Sequence, residues 1–174
     1  MDIMKHFLML IGLVLMPWVR CAAACTLEVD SCDNRIKVTR VIDGDTFEGM
    51  TVDGFATRFR IAAIDAPEMG QFYGDVAKAY LHSLLYGRTV CLVLCRRDIY
   101  GRLVAWVFLD GEDVGAAMLS MGLAWYYDKF DNCTTYSMLQ EDARQRGSGL
   151  WSDDRAVEPW RWRAMSKWER DAYR

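Results

Sequence analysis

The chain has 174 residues and a formal net charge of −3, with 21 basic and 24 acidic side chains. That length accommodates one domain with a substantial core and little beyond it, so a single site is expected rather than several. The acidic balance excludes a global basic field: to handle nucleic acid, the protein must rely on a local arginine patch and a bound cation.

Residues 1–24 read as a secretory signal: a short polar start with Lys5, an apolar run Phe7–Val19, then Arg20 and the small-residue stretch Cys21-Ala22-Ala23-Ala24, with cleavage after Ala24. The run is short for a bilayer span and Pro17 interrupts it, so no transmembrane anchor is expected, and nothing downstream reads as membrane-spanning. A lipid anchor on Cys21 or Cys25 ranks below simple export, because neither follows a Leu-containing small-residue box. Without Asp2, Lys5 and Arg20, 19 basic and 23 acidic side chains remain, a net charge of −4. Export to the periplasm or the medium implies an oxidising compartment. At least one disulfide is therefore expected among Cys25, Cys32, Cys91, Cys95 and Cys133, with one thiol left over.

After an irregular arm, 25–34, three runs rich in Val, Ile, Thr and Phe follow: Arg35–Ile42, Thr46–Val52 and Phe55–Ile64, separated by Asp-Gly turns at 43–44 and 53–54. They predict a three-stranded antiparallel meander. From Gly74 to Tyr86 the apolar positions Val76, Ala77, Tyr80, Leu81, Leu84 and Leu85 recur at helical spacing, and Gly87 supplies the stop. Thr89–Arg96 and Leu103–Leu109 read as strands. On one strand Cys91 and Cys95 lie about 13 Å apart, so each needs a different disulfide partner. Zinc is a poor use for that spacing, and His82 falls in the helical pattern.

A short helix, Val114–Met121, is stopped by Gly122, and a third spans about Tyr136–Arg146. The tail holds Trp151, Trp160, Trp162 and Trp168, too many rings to leave in water, so part of it must pack back on the body. Most of its basic residues, among Arg155, Arg161, Arg163, Lys167, Arg170 and Arg174, fit ordinary solvated surface. The order β-β-β-α-β-β-α-α predicts an α+β, mainly β fold. It is a five-stranded OB-fold barrel with about three flanking helices over 35–151, followed by a Trp/Arg-rich tail, 152–174.

Chemistry concentrates between Val41 and Glu68. Two carboxylate clusters, Asp43-Gly44-Asp45-Thr46 and Ile64-Asp65-Ala66-Pro67-Glu68, flank the segment Arg58-Phe59-Arg60-Ile61. A hard divalent cation wants carboxylate oxygens, and a phosphate wants arginine forks and that same cation, so the pattern points to metal-assisted phosphoryl chemistry. Arg60 interrupts an apolar strand, and a buried arginine needs a partner. Asp43 reads as the turn residue. Phe47 and Glu48 stand where an EF-hand would need an oxygen ligand and a glycine. Tyr100 is either core packing or a platform for a base, and Tyr126 and Tyr127 stay unassigned.

Together with Gln71-Phe72-Tyr73-Gly74, Tyr100-Gly101-Arg102, Gly122-Leu123-Ala124-Trp125, Glu141, Ala143-Arg144 and Gly149-Leu150-Trp151, these motifs resemble the staphylococcal nuclease (thermonuclease) family over about Arg35 to Trp151. The tail Pro159-Trp160-Arg161-Trp162-Arg163 is similar to one common among bacterial members. The resemblance implies an OB-fold endo- or exonuclease dependent on Ca²⁺, acting on DNA and RNA and leaving 3′-phosphates. It implies Asp45, Asp65 and the Ala66 carbonyl as metal ligands, Glu68 on the attacking water, Arg60 and Arg102 on the phosphate, and Tyr100 lining the nucleotide site. A monomer with no stable protein partner is expected. The loop Met69–Phe72 is shorter than in the best-known member, and Ile99 replaces a lysine before Tyr100, which bears on substrate grip. The rival reading is a non-catalytic OB-fold module for nucleic acid or protein contact.

Overall fold

The structure, a computed structural model, describes Cys32, residues 34–51, 53–130, 132–171 and Tyr173. The expected signal, 1–24, and most of the 25–34 arm lie outside them.

The strands are β1 (Arg35–Val41), β2 (Thr46–Met50), β3 (Ala56–Ile61), β4 (Ile64–Asp65), β5 (Thr89–Arg97), β6 (Leu103–Leu109), β7 (Glu112–Asp113) and β8 (Trp125–Tyr126). The α-helices are α1 (Gly74–Leu85), α2 (Val114–Ser120), α3 (Thr134–Gln145), α4 (Pro159–Ala164) and α5 (Lys167–Asp171). Strand order β3-β2-β1-β5-β6 runs through antiparallel pairs, and a parallel pairing of β3 with β6 closes the ring into a five-stranded barrel. This is the OB-like architecture expected. In β1 the alternation of inward residues shifts between Val38 and Arg40, where the register with β2 slips, so Ile36, Val38 and Val41 all reach the core. Stacked Phe47 and Phe59, with ring centroids 5.5 Å apart, fill the barrel beside Ile61, Val90 and Val107.

Helix α1 presents Gly74, Ala77, Leu81 and Leu85 to the core. Val76, expected on that face, is exposed instead. Asp113 caps α2 by accepting from the Ala116 amide at 3.1 Å, and its carboxylate also receives the buried Tyr136 hydroxyl of α3. Cys91 pairs with Cys32, not with Cys95 on the same strand, and Cys133 is also disulfide-bonded.

One expected strand is not continuous. The strand drawn over Phe55–Ile64 is broken: the Ala62 amide bonds the Ala105 carbonyl, Ala63 takes a left-handed φ of 56°, and Ile64–Asp65 becomes β4, paired with β8 rather than with the barrel. The tail forms two further short helices. Trp162 is buried and Trp160 packs edge-on to Trp125, as the composition demanded, but Trp168 on α5 is 83% exposed.

Candidate active site

The Asp43-Gly44-Asp45 turn leads into β2, and its glycine is required by packing. A Cβ on Gly44 would lie 2.6 Å from Ala66 Cβ and 2.8 Å from Ala77 Cβ, so only glycine lets the turn press onto α1 and the β4 exit. Pressed there, Asp45 is 3% exposed. Its Oδ1 accepts from Thr46 Oγ1 at 2.8 Å, and its Oδ2 from the Ala66 amide at 3.0 Å and Arg60 Nη1 at 2.5 Å. Burial pushes the Asp45 carboxyl up, but the Arg60 guanidinium and these donors hold it below its ordinary value. Asp43, whose Oδ1 accepts from the Asp45 amide, is pushed up to about 7 by burial and by the charge of Asp45.

Arg60 sits opposite Thr46 in the β2–β3 register. Its Nη2 donates to Asp65 Oδ1 at 2.9 Å and to the Ile64 carbonyl at 3.0 Å, so one guanidinium spans both acids. The break at Ala63 makes this possible: a strand continuing straight would carry Asp65 along the barrel, whereas the left-handed turn brings it back beside Arg60, only 1% exposed.

Glu68 lies past Pro67, on a loop gripped from two sides. Its amide donates to Gln71 Oε1, and a Cβ on Gly74 would collide with its carbonyl. Its carboxylate meets Arg163 of α4: Nη1 lies 2.7 Å from Glu68 Oε1, and Nη2 lies 2.7 Å from Asp65 Oδ2. The two carboxylates raise the Arg163 pKa, chiefly through the Asp65 hydrogen bonds. Arg163, though 45% exposed, is therefore tied to two acids of the site and is not the unpaired surface charge expected.

Arg102 donates from Nε to Asp98 at 2.7 Å and reaches Thr46 Oγ1 from Nη1 at 3.3 Å, which links it to Asp45 through one hydroxyl. Asp98 also accepts from the Tyr100 and Arg102 amides. Burial pushes its carboxyl up, but these donors bring it below its ordinary value. Tyr100 is 78% exposed, with Arg102 Cζ 5.4 Å from its ring centroid, so it is not core packing.

A cavity of about 810 Å³ is lined by Asp43, Asp45, Arg60, Asp65, Ala66, Glu68, Tyr100, Arg102 and Arg163. Thus Asp45, Asp65, Ala66 and Arg60 meet through direct bonds, Glu68 joins through Arg163, Arg102 joins through Thr46, and Tyr100 stands at the same cavity. Thr46, Gln71, Asp98 and Arg163 complete the network; no site role was expected of them, although Thr46, Gln71 and Arg163 stand inside the motifs that carry the resemblance. The one signal for Arg163 was the alternation of Trp and Arg in the tail.

Among the described residues no three Asp, Glu, His or Cys side chains converge on one point, so a cation here would take its remaining oxygens from main chain or water. The donor set fits a hard ion on those terms. Two buried carboxylates stand one guanidinium apart, and the Asp43 carboxylate lies at the same turn, accepting from the Asp45 amide.

A family model described as "Staphylococcal nuclease homologue" matches residues 58–153, which leaves Asp45 before the match and Arg163 after it. An "Uncharacterized endonuclease" of Haemophilus influenzae is 34% identical over 145 residues, 83% of this chain and 79% of that protein. An Escherichia coli protein with the same description is 42% identical over 128 residues, 73% of this chain and 83% of its own. A "Micrococcal nuclease" of Shigella flexneri is 37% identical over 147 residues, 78% of this chain and 83% of its own. With the barrel closed as that similarity requires, the chain belongs to the staphylococcal nuclease family.

Proposed function

We propose that this member of a nuclease family is an exported, Ca²⁺-dependent enzyme that hydrolyses phosphodiester bonds of DNA and RNA and leaves 3′-phosphate ends. The observation that carries the reading is the pair of buried carboxylates, Asp45 and Asp65, laced by Arg60 at a cavity that also presents Glu68, Arg102 and Tyr100. A binding module needs basic and aromatic residues but no reason to bury two acids beside them. The Cys32–Cys91 disulfide supports an oxidising compartment.

Asp45, Asp65 and the Ala66 carbonyl would hold the Ca²⁺. When bound, the ion supplies charge neutralisation at a phosphate oxygen and a more acidic neighbouring water. Arg60 and Arg102 offer guanidinium forks to the equatorial oxygens, where charge builds as water attacks in line. Losing one such donor costs about 10²–10³ in rate. Glu68, partly exposed at the cavity, orients that water and accepts its proton. The exposed Tyr100 ring gives a base a surface to stack on. The protein acts as a monomer, with nucleic acid as its partner.

The test incubates the purified protein with single-stranded DNA, duplex DNA and RNA, in Ca²⁺ or in chelator, and identifies product ends. Glu68→Gln and Arg60→Ala serve as controls. Ca²⁺-dependent cleavage to 3′-phosphates, depressed by both substitutions, is expected. Folded wild-type protein that binds these substrates without cutting them overturns the reading in favour of a binding module.

A further inference from the structure

We propose that Arg163, carried on the C-terminal helix α4, is a positioning residue of the nuclease site: it holds the Glu68 carboxylate against the buried Asp65 and so sets the acid that manages the attacking water. The inference rests on the reading just given and extends it to a segment outside residues 58–153, the span of the family match.

The geometry is a fork with two different acids on it. Nη2 bonds Asp65 Oδ2 at 2.7 Å, while Nη1 is shared between Asp65 Oδ1 at 3.2 Å and Glu68 Oε1 at 2.7 Å. Asp65 is rigid, since it is buried and also tied to Arg60. Glu68 is held by less: its side chain is 38% exposed, and among the described residues Arg163, itself 45% exposed, is the partner its carboxylate has. Tying an exposed carboxylate to a buried one through a planar fork is what guanidinium does better than ammonium, because its donors are coplanar and bind two oxygens at once.

The fork is delivered by a docked element, not by a loose tail. Trp162, the preceding residue, is buried, and Trp160 packs against Trp125 and Tyr127 at 6.0 and 5.3 Å between ring centroids. The Val157 carbonyl accepts from Gln71 Nε2 at 2.5 Å, and the same buried Gln71 accepts the Glu68 amide. The tail therefore holds Glu68 twice, by its backbone through Gln71 and by its carboxylate through Arg163. With these other anchors in place, α4 is expected to stay docked when the Arg163 charge is removed.

A second consequence concerns the cation. Arg163 occupies Asp65 Oδ2, so it competes with any ion that draws on Asp65, and its loss must tighten ion binding even as it loosens Glu68. A purely structural arginine would move neither quantity in this combination.

The experiment compares wild type, Arg163→Gln, Arg163→Lys, Glu68→Gln and the Glu68→Gln/Arg163→Gln double variant. It measures kcat and KM on one DNA substrate, Ca²⁺ binding by calorimetry without substrate, and thermal unfolding as a check of folding. Arg163→Gln is expected to lose roughly 10–100-fold in kcat with KM little changed, since misplacing a reacting group by about 1 Å costs that order. Ca²⁺ binding should tighten several-fold. Lysine should recover part of the rate, and in the Glu68→Gln background the second substitution should cost little, because the two act as one unit. An unchanged kcat in folded Arg163→Gln, or an equal loss in both backgrounds, overturns the inference while leaving the nuclease reading intact. Wild-type protein that neither cleaves nor binds Ca²⁺ overturns both.

Discussion

Replacing Arg60 by methionine removes the charge that spans the two acids while keeping a similar apolar stem. In the wild type the guanidinium is 16% exposed and bonds Asp45 and Asp65, which are 4% and 1% exposed. Deleting one partner of a buried ion pair costs about 3–5 kcal/mol, because the other charge is left uncompensated. Here Arg163 still holds Asp65, and Thr46 and the Ala66 amide still donate to Asp45, so the lower end, about 3 kcal/mol, applies. For a domain of this size that lowers Tm by about 6–12 °C. Ca²⁺ should then do more for the variant than for the wild type, since the ion no longer competes with Arg60. At 100 times Kd a bound ion adds about 2.7 kcal/mol, most of the loss. Thermal unfolding followed by tryptophan fluorescence, in chelator and in Ca²⁺, measures both effects. Arg60→Met melting with the wild type in chelator, or an equal Ca²⁺ shift in the two proteins, would refute the reasoning.

Gly74→Ala should disturb Glu68 without touching its side chain. The new Cβ collides with the Glu68 carbonyl, so helix or loop must shift, at about 1–3 kcal/mol, with kcat reduced more than KM; a denaturant midpoint and steady-state rates report these. Changing both Cys32 and Cys91 to alanine opens a bridge between residues 59 apart, and the chain-entropy relation puts the cost at about 4 kcal/mol, read from urea unfolding. At Asp113, burial raises the folded-state pKa above the ordinary carboxylate value, against the bonds from Tyr136 and the α2 amides. Its contribution to stability is therefore full below the unfolded pKa and is lost as pH rises through the folded one. The Tm difference between wild type and Asp113→Asn should accordingly grow in the wild type's favour as pH falls, and a flat difference would remove Asp113 as its source.

The strand and helix pattern was legible because it is local. Alternation within β1, the Asp-Gly turn before β2 and the Leu81/Leu85 face of α1 depend on each residue's near neighbours, which the sequence displays directly. The exception proves the dependence: Ile61 to Ile64 is one apolar run, and nothing in residue type shows that Ala63 turns left-handed and sends Asp65 off the barrel. In the same way Val76 has helical spacing but faces water, and Trp168 has the composition of a core residue without the contacts of one.

By itself the sequence determined which residue types meet at the candidate site. Asp45, Arg60, Asp65 and Glu68 lie within 24 residues of one another, so short strands and turns carry them together once the meander forms. Tertiary structure alone decided what completes them. Arg102 reaches Asp45 through Thr46 because β3 pairs with β6 across the barrel, and Arg163 reaches Glu68 across 95 residues because Trp162 buries itself against the body and Trp160 packs on Trp125. The physical reason is that periodicity records only which side of an element is apolar. The partner of a charged side chain at long range follows from chain closure and from where a buried ring docks, and neither leaves a mark in the spacing of residues.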